Sequence, residues 1–274
     1  MLKVSLYALG ISCIVAGLLN SEIGEERIYA TLSSGEINLA QLRRAFLRVK
    51  KTESVNVCGE AALGYVCVES ANVEMSGSSV LFLNRDNHSY IMTAEHVCSQ
   101  SEQSNMDIFL NNEQEKEVML QILGMTRIVS ITRNVSYDLM NVYGRTAENV
   151  QIVGVNQVDD LCILRSDLVE GIVPVTLSAR APALGEEVWN IAAPYGIFDF
   201  NMVPMLRGVW CGQNPGGGTF ICDLPASPGS SGSPVFNQRG HLVSIVHSTH
   251  VQFHAASFGA NIQQIRQLIS ESIQ

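Results

Sequence analysis

The chain has 274 residues, 46% of them hydrophobic and 16% charged, enough apolar material for a sizeable core and too much for wholesale disorder. Asp and Glu number 26 against 17 Lys and Arg, a formal net charge of -9, and no basic run exceeds two residues. Phosphate backbones are gripped by clustered cations, so nucleic acid is excluded as the main partner.

The chain opens on Lys3 and an uncharged stretch from Val4 to Ser21, mostly apolar through Leu19, before acidic Glu22. One early positive charge and a short apolar run predict a secretory signal peptide over residues 1–21; an uncleaved membrane anchor is the alternative, at the short edge of a bilayer span. Residues 22–75 read as an N-terminal extension of unclear role. Within them Leu39, Leu42, Ala45, Phe46 and Val49 share helical spacing, which predicts a helix over Leu39–Val49.

From Ser76 to the end, residues 76–274, short apolar runs alternate with turn clusters. Strands are predicted at Val80–Leu83, Tyr90–Met92, Ile152–Val155, Leu161–Leu164, Val173–Leu177, Val188–Ala192, Met205–Trp210, Thr219–Cys222, Val235-Phe236 and Leu242–Val246. So many short strands point to antiparallel barrels or a sandwich. Ile262, Ile265, Leu268, Ile269 and Ile273 recur at helical spacing, so the chain closes on an amphipathic helix.

Of 7 cysteines, Cys13 lies in the leader, and the remaining Cys58, Cys67, Cys98, Cys162, Cys211 and Cys222 suit an oxidising compartment. Cys58 and Cys67 bracket a short loop and invite a bridge. A simple hairpin centred on Pro215-Gly216 would set Cys211 opposite Phe220, so a bridge from Cys211 to Cys222 needs an irregular loop. No C-x-x-C pair or His/Cys spacing suggests zinc.

Three segments can carry chemistry. Pro228-Gly229-Ser230-Ser231-Gly232-Ser233-Pro234 sets a Ser between glycines ahead of an apolar strand; such a backbone bends tightly and turns N–H groups into one concavity, able to stabilise an oxyanion beside a nucleophile. Thr93-Ala94-Glu95-His96-Val97 follows a strand and presents an imidazole, which titrates near neutrality and serves as base and then acid. Asp160 opens the apolar run Leu161–Leu164, where a partly buried carboxylate needs a donor such as an imidazole N–H; Asp138 and Asp159 compete for that role. Taken singly, each has an ordinary reading: a Gly/Ser loop, a surface or core His, a solvated turn Asp.

Together, in the order His, Asp, Ser, these segments make the sequence resemble the trypsin-like (chymotrypsin-fold) serine peptidases, in texture their bacterial Deg-type heat-shock peptidases and glutamyl endopeptidases. Tyr90–Val97 is similar to that family's strand followed by T-A-x-H-V, Ser76–Val80 to its glycine-serine opening, and Asp160–Leu164 to its Asp-Leu-Ala-Val-Leu strand. Leu184–Val188 with Ile191–Gly196 is similar to its L-G-x-x-V and G-x-P-x-G stretch, and Pro228–Phe236 to its nucleophile loop. Ser233 stands where many members have Gly, and Glu95 is unusual before the His.

The resemblance implies two antiparallel six-stranded β-barrels followed by the C-terminal helix, with the site between them. It implies a serine endopeptidase, a hydrolase of polypeptides, with Ser231 as nucleophile, His96 as base and Asp160 as its orienting acid; the Gly229 and Ser231 N–H groups would form the oxyanion hole. No metal or organic cofactor is implied, and a membrane is a partner only if the leader is an anchor; location is secreted or periplasmic. A catalytically inactive fold acting as a protein-binding module is the alternative. Pro225 falls six residues before Ser231, where Lys- or Arg-selective members carry Asp, so no strong basic preference is expected. His247 lies one residue later than the substrate-binding His of glutamyl endopeptidases, leaving a Glu or Gln preference open beside a small or apolar one.

Overall fold

The computed structural model describes residues 37–99, 113–214, 218–250 and 252–273. The leader lies outside the described residues; among them, no helix is long and apolar enough to cross a membrane. The chain divides into Met1–Asn38 and Leu39–Gln274, and every element below belongs to the second unit.

Helix α1 (Leu39–Ala45) is shorter than the helical spacing predicts. Phe46, Leu47 and Val49 are fully buried in strand β1 (Phe46–Ala61) instead. Pairing along both edges of β1 outweighs the local period, and its alternating Val49, Val55 and Val57 suit a pleated surface. One edge meets β2 (Gly64–Arg85), from Phe46↔Val80 to Ala61↔Gly64. The other meets β4 (Met125–Met140). Residues 46–75 thus share one sheet with the strands from Ser76 onward. Cys58 and Cys67 face each other near the far end of this long hairpin and form a disulfide.

Asp86 and Asn87, with φ of 51° and 62°, form the tight turn from β2 into β3 (His88–Thr93); positive φ at both centres matches the right-handed twist of the flanking strands. Beyond β3 lie β7 (Leu161–Asp167) and β6 (Gln151–Asn156), while β5 (Thr146–Ala147) caps the opposite edge. The order is β5-β4-β1-β2-β3-β7-β6, a seven-stranded sheet whose ends do not join. The first six-stranded barrel implied by the resemblance is not closed among the described residues, where the edge strand β5 has two residues.

The second half does close. Strands β8 (Glu187–Ile191), β9 (Met205–Gln213), β10 (Thr219–Cys222), β11 (Pro234–Phe236), β12 (Leu242–His250) and β13 (Phe253–Asn261) form a barrel in the order β10-β13-β12-β11-β8-β9. Val188, Trp210, Ile221, Leu224, Val235, Val243 and Val246 fill it. Cys211 is disulfide-bonded; Gly212, not Cys211, lies opposite Phe220, and the register shifts between there and the Ile221–Trp210 pair. The predicted strand Val173–Leu177 is instead a connector with one isolated bridge, Leu177 to Leu242; Pro174 lacks the N–H that a ladder needs.

Among the described residues the unit also holds a short 3-10 turn at Pro194–Gly196 and the α-helices α2 (Glu95–Cys98), α3 (Glu113–Leu123) and α4 (Ile262–Ser272). The last is the expected terminal helix. Its apolar Ile262, Ile265 and Leu268 are buried, and Asn261 and Gln264 form a capping box that satisfies the first-turn N–H groups.

Candidate active site

Strand β3 ends at Thr93, whose hydroxyl donates to Ser78 O at 2.8 Å. The chain then turns into α2, carrying His96 in its first turn. Asp160 closes the turn from β6 into β7, with a left-handed backbone at φ 51°. Two hydrogen bonds join them: His96 Nδ1 to Asp160 Oδ2 at 2.7 Å, and the His96 backbone N–H to Asp160 Oδ1 at 3.0 Å. An ionised carboxylate has no proton to give, so Nδ1 is the donor in this pair and Nε2 stays available for another partner. Burial pushes the Asp160 carboxyl up, but the hydrogen bonds from His96 and the charges of His96 and His247 outweigh it and hold it below its ordinary value.

The competing acids are placed otherwise. Asp138 is exposed on β4, opposite Lys50. Asp159 accepts from Asn156 Nδ2 at 2.8 Å and from Gln264 Nε2 of α4 at 2.5 Å.

The loop bearing Ser231 is fixed by its glycines and by Ser78. Gly229 has φ 95° and Gly232 φ 84°; a Cβ on Gly232 would lie 2.0 Å from Ser78 O, so no side chain fits there. Ser78 N–H donates to Ser231 O at 2.8 Å, and Ser78 Oγ donates to Gly229 O at 2.8 Å. Ser78 thus binds both the end of the strand before His96 and the loop of Ser231, bringing first sheet and second barrel together at one point. The sequence signal for this role is the Ser76–Val80 opening, which by itself does not single out Ser78. Ser233, unusual for its position, is fully buried and accepts from Asn190 Nδ2 at 2.8 Å.

Among the described residues, neither the Gly229 N–H nor the Ser231 N–H donates to another protein group, and no hydrogen bond joins Ser231 to His96. A cleft of about 240 Å³ beside Ser231 is lined by Ala226, Ser227, Pro228, Ser230, Val246, His247, Ser248 and Thr249. Pro225 is exposed and not among these residues; Ala226 and Ser227, which sequence reasoning missed, take the wall beside it. A second cleft of about 300 Å³, with Asp159, Asn214 and Gln264 in its lining, shares His247 and Ser248 with the first. Burial holds the His247 imidazole below its ordinary 6.5; the charges of Asp160 and Asp159 oppose this and that of His96 adds to it.

A family model of the trypsin-like peptidase domain matches residues 77–245, a span that takes in His96, Asp160 and Ser231. The chain belongs to the trypsin-like peptidases. Solved structures of similar fold include the serine endoprotease from Yersinia pestis, at 17% identity and a TM-score of 0.56, over 86% of this chain and 65% of that one. An HtrA-type protease with tripeptide follows at 16% identity and 0.55, over 86% of this chain and 62% of that one. This trypsin-like chain therefore spans less than two thirds of either protein's length, and the likeness is one of fold. No curated protein sequence matches it.

Proposed function

We propose that this trypsin-like chain is a serine endopeptidase that works through an acyl-enzyme. The observation that carries the reading is the doubly hydrogen-bonded His96–Asp160 pair within a peptidase-family match that also spans Ser231. Ser231 attacks the peptide carbonyl while His96 Nε2 takes its proton and later gives it to the leaving amine. Asp160 holds the tautomer and stabilises the imidazolium. The Gly229 and Ser231 N–H groups, without another protein acceptor among the described residues, receive the oxyanion. Sheet and barrel stand in for the two-barrel arrangement of such peptidases.

The two clefts meet at His247 and Ser248 of β12, where the strand pairs with β13. Its other edge carries no pairing from His247 onward among the described residues, which leaves room for an extended polypeptide to add as a strand. Among the described residues, none lining the cleft beside Ser231 carries a carboxylate. A buried Lys or Arg side chain would lack a counter-charge there, at a steep cost, so a small or apolar side chain is favoured before the cleaved bond. His247 on that wall supplies a hydrogen-bonding group for Glu or Gln, alongside the hydroxyls of Ser227, Ser248 and Thr249. The Cys58–Cys67 and Cys98–Cys162 disulfides support an oxidising compartment, periplasmic or extracellular.

A fluorophosphonate probe tests the nucleophile. Mass spectrometry should place the adduct on Ser231, and Ser231→Ala should abolish labelling while leaving the thermal midpoint unchanged. A well-folded wild-type protein that takes no label would favour a binding module on this fold.

A further inference from the structure

The chain's second disulfide sits beside the reacting pair. Cys98 lies two residues after His96 and Cys162 two residues after Asp160, and their sulfurs are bonded. Cys162 also faces Thr93, the last residue of β3. The bond therefore ties the turn carrying His96 back to the strand that Asp160 opens. Both cysteines are fully buried.

The tie reinforces a turn with little regular structure of its own. Helix α2 has 4 residues, far below the length at which a helix is stable alone. Asp160 holds a left-handed backbone, which side chains other than glycine adopt at a cost. The end of α2 is gripped by two further groups. Tyr137 of β4 donates its hydroxyl to Cys98 O, and Lys51 of β1 donates to Ser99 O at 2.6 Å. Lys51 is buried and ion-paired to Glu53 at 2.8 Å. Burial, then the charge of Glu53, pushes the Tyr137 phenol up to about 12, so it remains a donor throughout the neutral range.

We propose that Cys98 and Cys162 are positioning residues for the reaction, their disulfide fixing the approach of His96 to Asp160, with Tyr137 and Lys51 holding the far end of the same turn. The proposal rests on the peptidase reading for its consequence in catalysis, but the geometry it claims is measurable without activity.

The test uses the full chain carrying Cys98→Ala with Cys162→Ala, and as a control Cys58→Ala with Cys67→Ala at the remote hairpin end. Proton NMR reads the low-field ring N–H of His96, carbon NMR the titration of the Asp160 carboxyl, and a fluorophosphonate the reactivity of Ser231. The Cys98/Cys162 variant should lose the low-field proton, its Asp160 carboxyl should move up toward the ordinary 3.8, and labelling should slow on the order of a hundredfold. The control should keep all three. A folded Cys98/Cys162 variant that retains the low-field proton and the parent labelling rate overturns the proposal. Should that variant fail to fold, Tyr137→Phe removes only the hydroxyl on Cys98 O. A weakened low-field proton then supports the proposal, and an unchanged one overturns it. If the parent itself takes no label, the peptidase reading fails and the low-field proton still decides the positioning claim.

Discussion

Asp160 concentrates the costs of the site in one residue. Its φ of 51° lies in the left-handed region, which Asp visits more readily than most side chains, and its carboxylate is partly withdrawn from water. The return is a carboxylate that receives both the ring and the backbone N–H of His96. Asp160→Asn should keep the fold and lower kcat for peptide hydrolysis by about ten-thousand-fold, through the wrong His tautomer. Asp159→Asn and Asp138→Asn should stay near wild type; a collapse of kcat in either would move the role of acid. His247 bears on pH dependence. Its folded value lies below the ordinary 6.5, so below that pH the unfolded chain binds a proton that the folded chain refuses. Stability contributed by His247 is full above 6.5 and is lost as pH falls from there. Asp160, also depressed, adds its loss in a lower window, below the ordinary carboxyl range. Urea midpoints for His247→Gln should flatten in the upper window, with a smaller change in the lower one because the His247 charge helps hold Asp160 down; an undiminished slope in the upper window would assign it to another group.

Among the elements, α4 shows how the acid's turn is braced from the other half of the molecule. Gln264 closes the helix cap through Asn261 N at 2.8 Å and reaches Asp159 Oδ1 at 2.5 Å, one residue before Asp160. Gln264→Ala should cost about 1–2 kcal/mol by thermal melts, the scale of a lost cap bond with a second hydrogen bond. Gln264→Glu keeps the cap acceptor but faces the Asp159 carboxylate. It should melt below wild type, and by more at low salt than at high salt, since the two carboxylates repel; a loss that does not change with salt would deny the Asp159 contact. The elements also show where sequence reading reaches its limit. The terminal helix was legible because Ile262, Ile265 and Leu268 share a face that is in fact buried, and β6 and β7 because their apolar runs are short and bounded by turns. Leu39–Val49 misled because three of its apolar residues, Phe46, Leu47 and Val49, serve a strand paired with residues about thirty positions away, and helical spacing carries no record of distant partners. Val173–Leu177 misled because this extended, apolar connector is tied to Leu81 and Leu242 by isolated hydrogen bonds and never builds a continuous ladder.

At the scale of the whole molecule, the site depends on a sheet and a barrel meeting at Ser78, which bonds the loop of Ser231 and accepts from Thr93. The residue types and order of His96, Asp160 and Ser231 were readable in sequence because each stands in a motif of its own. The hub at Ser78, the cleft wall of Ala226 and Ser227 and the Cys98–Cys162 bond were not, because each exists only once distant strands are packed. Among the described residues, none lining the cleft beside Ser231 carries a carboxylate, and the proposed substrate preference rests on that. The most direct test is a mass-spectrometric cleavage profile of a peptide library with wild type and Ser231→Ala in parallel. Wild type should cut after small or apolar residues, with few cuts after Lys or Arg, and Ser231→Ala should leave the library intact. Cuts made equally by both proteins, or an intact library after incubation with folded wild type, would contradict the account.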